Sequence, residues 1–576
     1  MLSCLPFVSY AQTKGEKDML GAAGVLTEHP GNGVGVGLLS KERIVAGPAF
    51  NRWLVPPAAL AIHLCIGMAY GFSVFWLPLT RAVNGKEAVA CPPDMPLFGS
   101  LFATSCDWKI TELGMVYALF FVFLGAASAI WGGWLERVGP RKAALVSALC
   151  WCGGLILSAL GIYWHQLWLV LLGAGAIGGI GLGLGYIAPV STLIKWFPER
   201  RGMATGMAVA GFGGGAMIGA PLADILMRHY ATPTSVGVWE TFVTLAVVYF
   251  VFMTAGAFTI KVPASGWKPK GWTPPAPAAN SMISTRHVHV DKAVKTPQFW
   301  LIWSVLCMNV TAGIGVIGMA SPMLQEVFGG ALIGVDAQFR QLDAGQLAAV
   351  AAIAAGFTGL ISLFNIVGRF AWASSSDFLG RKLTYCVFFV LGVLLYASAP
   401  WSGRLGAVAL FVAAFCIILS IYGGGFATMP AYLADLFGTQ MVGAIMGRLL
   451  TAWSVAGVLG PLIVGFLRDY QLARNVPPAQ VYDLVAYVLC GLLALGLLCN
   501  LMVRPVAARH FMTEAEVDAQ HKLVNEAVRL AGLSETQQMR LDRTPTSLLA
   551  GAWTVVGLPI LWGVCVTLQK AWVLFS

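Results

Sequence analysis

GGWLERVGPRK (Gly132 to Lys142) and GRFAWASSSDFLGRK (Gly368 to Lys382) are the stretches on which the fold turns. Each sets a glycine, then an acid, then glycine and basic residues at the end of an apolar run. Glycine allows tight turning there, and the acid can pair with a neighbouring helix or with the basic residues. One such stretch would be a weak signal. Two, each following the second run in a set of six, point to two related halves.

The runs around these stretches are about 20 residues long, enough to cross roughly 30 Å of hydrocarbon. They cover approximately 54–80, 112–135, 143–163, 167–194, 203–228 and 237–260, then 299–323, 346–371, 384–401, 405–433, 442–467 and 480–503. Between the sets lies a polar break with Pro263, Pro269, Pro274, Pro275 and Pro277 among lysines and arginines. The expected organisation is an N-terminal tail (1–50), a six-helix half (51–261), a linker (262–297), a second half (298–504), a charged tail (505–545) and an extra transmembrane helix (546–575).

Composition agrees. The 576 residues are 58% hydrophobic and 11% charged, with a mean hydropathy of +0.76. Soluble domains carry roughly 25% charged residues, so a soluble globule of this size is excluded. Disordered, collagen-like and coiled-coil chains fail on the same figures. The fold class is all-α, a polytopic membrane protein.

The net charge of +10 does not mark a nucleic-acid partner. The basic residues form short clusters between apolar runs rather than a binding face. Arg137, Arg141, Lys142, Lys195, Arg200, Arg201, the linker, Arg381, Lys382, Arg504 and Arg509 fall on one side if the spans alternate. By the positive-inside rule that side is cytoplasmic, and the N-terminus with it, in a cell inner (plasma) membrane. Segment 1–11 lacks the charged start and long apolar core of a signal peptide. Met19 is an alternative start. Most of the 12 cysteines lie in apolar runs, where they act as small hydrophobes. Cys91 and Cys106 share a polar loop; they can pair if it faces an oxidising compartment, or stay as two free thiols.

The two loops resemble the cytoplasmic signature of the major facilitator superfamily. NRW (Asn51 to Trp53), KWFPERRGMATG (Lys195 to Gly206), TPQFW (Thr296 to Trp300), SDFLGRK (Ser376 to Lys382) and DLFGT (Asp435 to Thr439) resemble the oxalate/formate antiporter family within it. The resemblance covers about 51–505. It implies a secondary active transporter of small carboxylates (formate, oxalate, pyruvate or a similar monocarboxylate) working by alternating access, as an antiporter or coupled to protons. Segment 546–575 resembles a small single-helix subunit that accompanies some of these transporters, here carried fused. The implied protein is a monomer in the lipid bilayer, with no cofactor, no metal and no enzymatic activity. A second reading is a transporter-like sensor of carboxylates signalling through its tail.

Arg369, within the eighth span, matches the arginine that binds the substrate carboxylate in that family. A mid-helix arginine costs roughly 2.5–3.5 kcal/mol to insert, so it faces a cavity or a partner. Its planar fork matches a carboxylate, while a structural ion pair is the alternative. Trp453 stands where the family's oxalate carrier has a lysine. With one matching cation, a monoanion is easier to accommodate than a dianion. Tyr70, Tyr186, Phe212, Tyr422 and Phe426 match aromatic positions lining the family's site, or else pack helices.

Glu136, Arg137, Arg141, Asp377, Arg381, Arg448 and Asp435 are expected in gating or structural roles. Arg448 is expected to pair near the cytoplasmic mouth, with Asp435 the nearest acid in sequence. His63 can relay protons or simply pack. Asp224 stands four residues before Arg228 and is expected to pair with it. The glycines of GAGAIGGIGLGLG (Gly173 to Gly185) are expected to let helices touch rather than to bind a dinucleotide.

Overall fold

The computed structural model describes residues 39, 41–47, 49–83, 89, 91–92, 95–264, 266–273, 282–518 and 544–572. Most of the expected 1–50 and 505–545 tails, and Pro274, Pro275 and Pro277, lie outside these residues. Among the described residues thirteen helices are long and apolar enough to cross a membrane. The N-terminal six are α1 Arg52–Leu79, α2 Ile110–Val138, α3 Pro140–Tyr163, α4 Leu167–Trp196, α5 Arg201–Tyr230 and α6 Val238–Thr259. The second six are α7 Pro297–Ile333, α8 Gly345–Leu379, α9 Arg381–Arg404, α10 Val408–Phe437, α11 Val442–Ala473 and α12 Asp483–Met502, and α13 is Thr546–Trp572. The end of the bundle bearing residues 260–264 and 282–297 is termed the linker face, and the opposite end the far face.

The local reasons for these boundaries are visible. Asn51 caps the start of α1, its side chain accepting from the Trp53 amide, and Pro56 and Pro57 follow in the first turn of the α-helix. In TPQFW, Thr296 caps α7 and Pro297 takes the first helical position. Gly139 (φ 86°) and Gly380 (φ 83°) are the sole residues between α2 and α3 and between α8 and α9. Their left-handed backbones make both repeated loops one-residue corners. The leading glycines serve a different end: a Cβ on Gly132 would stand 3.0 Å from the Ala444 Cα of α11, and one on Gly368 2.6 Å from the Ser420 Cα of α10. In α4 the glycine run starts as a π-helical stretch, Leu171–Gly178, pressed against α3. A Cβ on Gly173 would meet the Gly154 carbonyl at 2.6 Å, as close helix packing demands.

The halves meet along α5 against α8 and α2 against α11. A Cβ on Gly206 of α5 would lie 2.9 Å from the Arg369 carbonyl of α8. α13 joins the body across both halves. On the linker side Trp553 Nε1 donates to the Trp53 carbonyl (3.2 Å), and Val556 packs with Leu60 and Ala61 of α1. At mid-depth Gly563 faces Met217 and Ile218 of α5. Toward the far face Thr567 and Ala571 meet Gly359 and Gly356 of α8.

Both ends carry short clasps. At the linker face Ala46 N donates to the Val262 carbonyl (2.9 Å), Ser284 N to Asp435 O (2.6 Å) and Val288 N to Phe437 O (2.9 Å), while Met512 N donates to His287 O (2.8 Å). At the far face Cys91 and Cys106 form a disulfide. The Asp107 carboxylate accepts from the amides of Val83 and Val89, both at 2.8 Å. His165 stacks on Trp108 (4.3 Å between centroids) and bonds the Cys106 carbonyl at 2.8 Å. Burial pulls the His165 imidazole below its ordinary value, against the Cys106 carbonyl and Asp107, which raise it.

Candidate functional site

Arg369 stands about ten residues from the linker-face end of α8, roughly 15 Å deep at 1.5 Å per residue. Tyr186 on α4, Phe212 on α5, Phe426 on α10 and Trp453 on α11 lie at about the same depth from the linker-face ends of their own helices. Equal depth on converging helices is what brings them together. Trp453 is the hub, with ring centroids 4.3 Å from Phe426, 5.4 Å from Phe212, 5.7 Å from Tyr186 and 6.3 Å from Tyr70. Arg369 Cζ stands 5.7 Å from the Tyr70 ring centroid and 5.8 Å from those of Phe212 and Phe426. Aromatic faces within about 6 Å favour a cation. Tyr70 and Tyr422 close one side with a hydroxyl–hydroxyl bond of 2.9 Å between the halves.

The arginine is wholly buried. Its Nε donates to Asn365 Oδ1 (3.1 Å), one helical turn back, and its Nη1 donates to the Val209 carbonyl of α5 (3.0 Å). Gly213 makes room, since a Cβ there would lie 3.0 Å from Nε. Nη2 has no hydrogen-bond partner among the described residues, and neither have Trp453 Nε1 and the Tyr186 hydroxyl. The guanidinium forms no ion pair among those residues. A buried charge of this kind is stable only when an opposite charge or good acceptors meet it.

All seven residues expected at the site therefore converge. Sequence reading missed Asn365, the Val209 carbonyl and Phe121, whose ring centroid is 5.4 Å from that of Trp453. Asn365, four residues before Arg369, was detectable as a polar i,i+4 pair inside an apolar span. The backbone carbonyl leaves no trace in side-chain identity.

The expected gating residues gather at the linker face, with one correction. Asp435 is buried and bonds Arg201 Nη1 (2.8 Å) from α5 and Arg381 Nε (3.0 Å) from α9. Asp377 bonds Arg381 Nη2 (2.6 Å) and accepts the amides of Gly202 (2.8 Å) and Met203 (2.9 Å) at the start of α5. Glu136 pairs with Lys195 (2.8 Å) and accepts the Gly443 amide (3.1 Å) from the other half. Arg141 Nη2 donates to the Phe258 carbonyl at 2.9 Å, and Arg137 is exposed. Arg448 does not pair with Asp435. That carboxylate is already held by two arginines, and Arg448 instead bonds Asp291 of the linker at 2.6 Å.

The other two ionisable residues expected within spans, Asp224 and His63, also find partners. Asp224 pairs with Arg228 at 2.8 Å. Both ring nitrogens of His63 face backbone carbonyls, and the ring is buried. Among the described residues no cluster of three or more His, Cys, Asp or Glu is disposed to hold a metal.

Two six-helix halves, cross-bonded at one face and closing on a cation at mid-depth, define a membrane transporter. The Major Facilitator Superfamily model matches residues 61–461, and the chain belongs to that superfamily. The Oxalate:formate antiporter of Oxalobacter formigenes is 26% identical over 57% of this chain and 69% of its own length. Apicoplast pyruvate carrier 1 of Toxoplasma gondii is 26% identical over 67% of this chain and 78% of its own. The proton:xylose symporter XylE, solved with 6-bromo-6-deoxy-D-glucose, shares the fold at a TM-score of 0.54, with 14% identity over 78% of this chain and 95% of that one. The protein is thus a multi-pass membrane transporter.

Proposed function

We propose that this transporter carries small monocarboxylate anions by alternating access, with Arg369 as the anchor of the carboxylate. The observation that carries the reading is the buried guanidinium with a free Nη2, ringed by aromatics and lacking an ion pair among the described residues. A bound carboxylate supplies the missing charge and accepts from Nη2. Trp453 Nε1 and the Tyr186 hydroxyl add uncharged donors in the same aromatic cluster. One cation and neutral donors suit one negative charge, so formate, pyruvate and similar acids fit better than oxalate. The relatives that carry oxalate, formate or pyruvate support this class of substrate.

Counterflow of labelled formate, pyruvate and oxalate in proteoliposomes tests the reading. Arg369→Ala is expected to lower transport about 30-fold or more, since removing one partner of a buried charge pair costs roughly 2–5 kcal/mol. Arg369→Lys is expected to be nearly as poor, because a point charge cannot reproduce the fork. Full transport by Arg369→Ala, or none by the native chain across a broad carboxylate panel, would sink the proposal.

A further inference from the structure

His63 lies directly behind the aromatic cluster. Its ring stacks on Tyr186 (5.5 Å, 15°) and meets Phe212 edge-on at 6.4 Å, the two residues that wall the arginine's surroundings. Nδ1 is 2.5 Å from the Ala208 carbonyl of α5, and Nε2 is 3.3 Å from the Tyr186 carbonyl of α4. Both partners can only accept. A neutral imidazole has one N–H, so it satisfies one of them and turns a lone pair toward the other. Only the doubly protonated ring donates to both.

The backbone around it is rich in acceptors for a structural reason. Pro189 sits inside α4 and has no N–H for the Gly185 carbonyl, four residues earlier, on the same turn that faces His63. On α5 the next carbonyl after Ala208 is that of Val209, which accepts Arg369 Nη1. His63 and Arg369 thus bond consecutive carbonyls of one helix. The groups around the ring are Arg369 from α8, Tyr186 and the Gly185 carbonyl from α4, and Phe212 and the Ala208 carbonyl from α5. Arg369 is the charged one, and its like charge opposes an imidazolium until an anion neutralises it.

We infer that His63 is a proton-binding site coupled to the anion, taking a proton at Nε2 when a carboxylate occupies Arg369 and releasing it with that carboxylate on the other side. The inference rests on the carboxylate reading above and deepens it. Its charge balance closes. With guanidinium alone the region carries one positive charge; with guanidinium, monoanion and imidazolium it again carries one. Each cycle then moves one anion and one proton and is electroneutral. A dianion would break that balance.

The test uses the whole chain in proteoliposomes, native and His63→Gln, with labelled formate and pyruvate. Counterflow at equal pH needs no net proton movement, whereas accumulation against a gradient does. The native protein is expected to accumulate label about tenfold per pH unit of inward proton gradient, the ratio set by one-to-one coupling. His63→Gln is expected to keep counterflow within about threefold, near the modest cost of one altered hydrogen bond, and to lose the accumulation. Equal accumulation by His63→Gln, or native counterflow without gradient-driven accumulation, overturns the proton site. Absence of native counterflow instead overturns the carboxylate reading. In that case, or if His63→Gln does not fold, 15N spectra of the native imidazole across pH decide: a ring that never gains its second proton refutes the proposal.

Discussion

Arg369 stands at the centre of the candidate site, bonded to Asn365 and set among the same rings that Trp453 packs against. Asn365 Oδ1 fixes Nε and so sets which edge of the guanidinium is left free. Asn365→Ala is expected to weaken substrate binding about ten- to a hundredfold in KM, the size of one hydrogen bond to a charged group, with fold and maximal rate less changed. Proteoliposome kinetics against substrate concentration would check it. Trp453→Lys adds a second cation among the same rings, so oxalate is expected to gain on formate by about tenfold in competition assays. An unchanged ratio would refute the charge-count argument. That the seven expected site residues lie together was legible in the sequence, the arginine as a lone charge in an apolar span and the aromatics through the family resemblance. What was not legible came from distant chain. Asp291, which holds Arg448, is over 150 residues away in the linker, and Asp435 had two other arginines closer in space.

Among the elements, the far-face loop carries a pH dependence. His165 is held neutral by burial against Trp108, and its backbone is left-handed (φ 52°). Its folded pKa lies below the unfolded value of 6.5, so below that pH the unfolded chain binds more protons. Stability contributed here is complete above about pH 6.5 and declines as the pH falls toward the folded value. Thermal melting from pH 7.5 to 5 is expected to show this decline, and His165→Asn, which tolerates the left-handed backbone, is expected to flatten it. The spans themselves were readable from hydropathy. The corners were partly so: the leading glycines looked like turns, yet Gly139 and Gly380 make the turns, while Gly132 and Gly368 make room for neighbouring helices. Only three-dimensional packing separates those two uses of the same residue.

For the whole molecule, the cross-half bonds described above run from mid-depth to the linker face. Gly202, Met203, Asp377, Arg201, Arg381 and Asp435 form one connected cluster around the junction of α5, α8, α9 and α10. Asp435→Asn removes the charge that both arginines share. Losing one partner of a buried pair costs roughly 3–5 kcal/mol. The variant is expected to melt earlier and to expose linker-face positions to aqueous thiol reagents after single-cysteine labelling. Unchanged labelling would show that the closure does not depend on this carboxylate.

α13 crosses the seam between the halves, seated on α1 near one face, on α5 at mid-depth and on α8 toward the other face, and it belongs to the same chain as the body. Tethering makes its docking a unimolecular event. A covalent link can supply an effective concentration in the millimolar range, which an independently inserted helix would have to match by abundance in the membrane. One chain therefore brings one such helix to each body whatever the expression level.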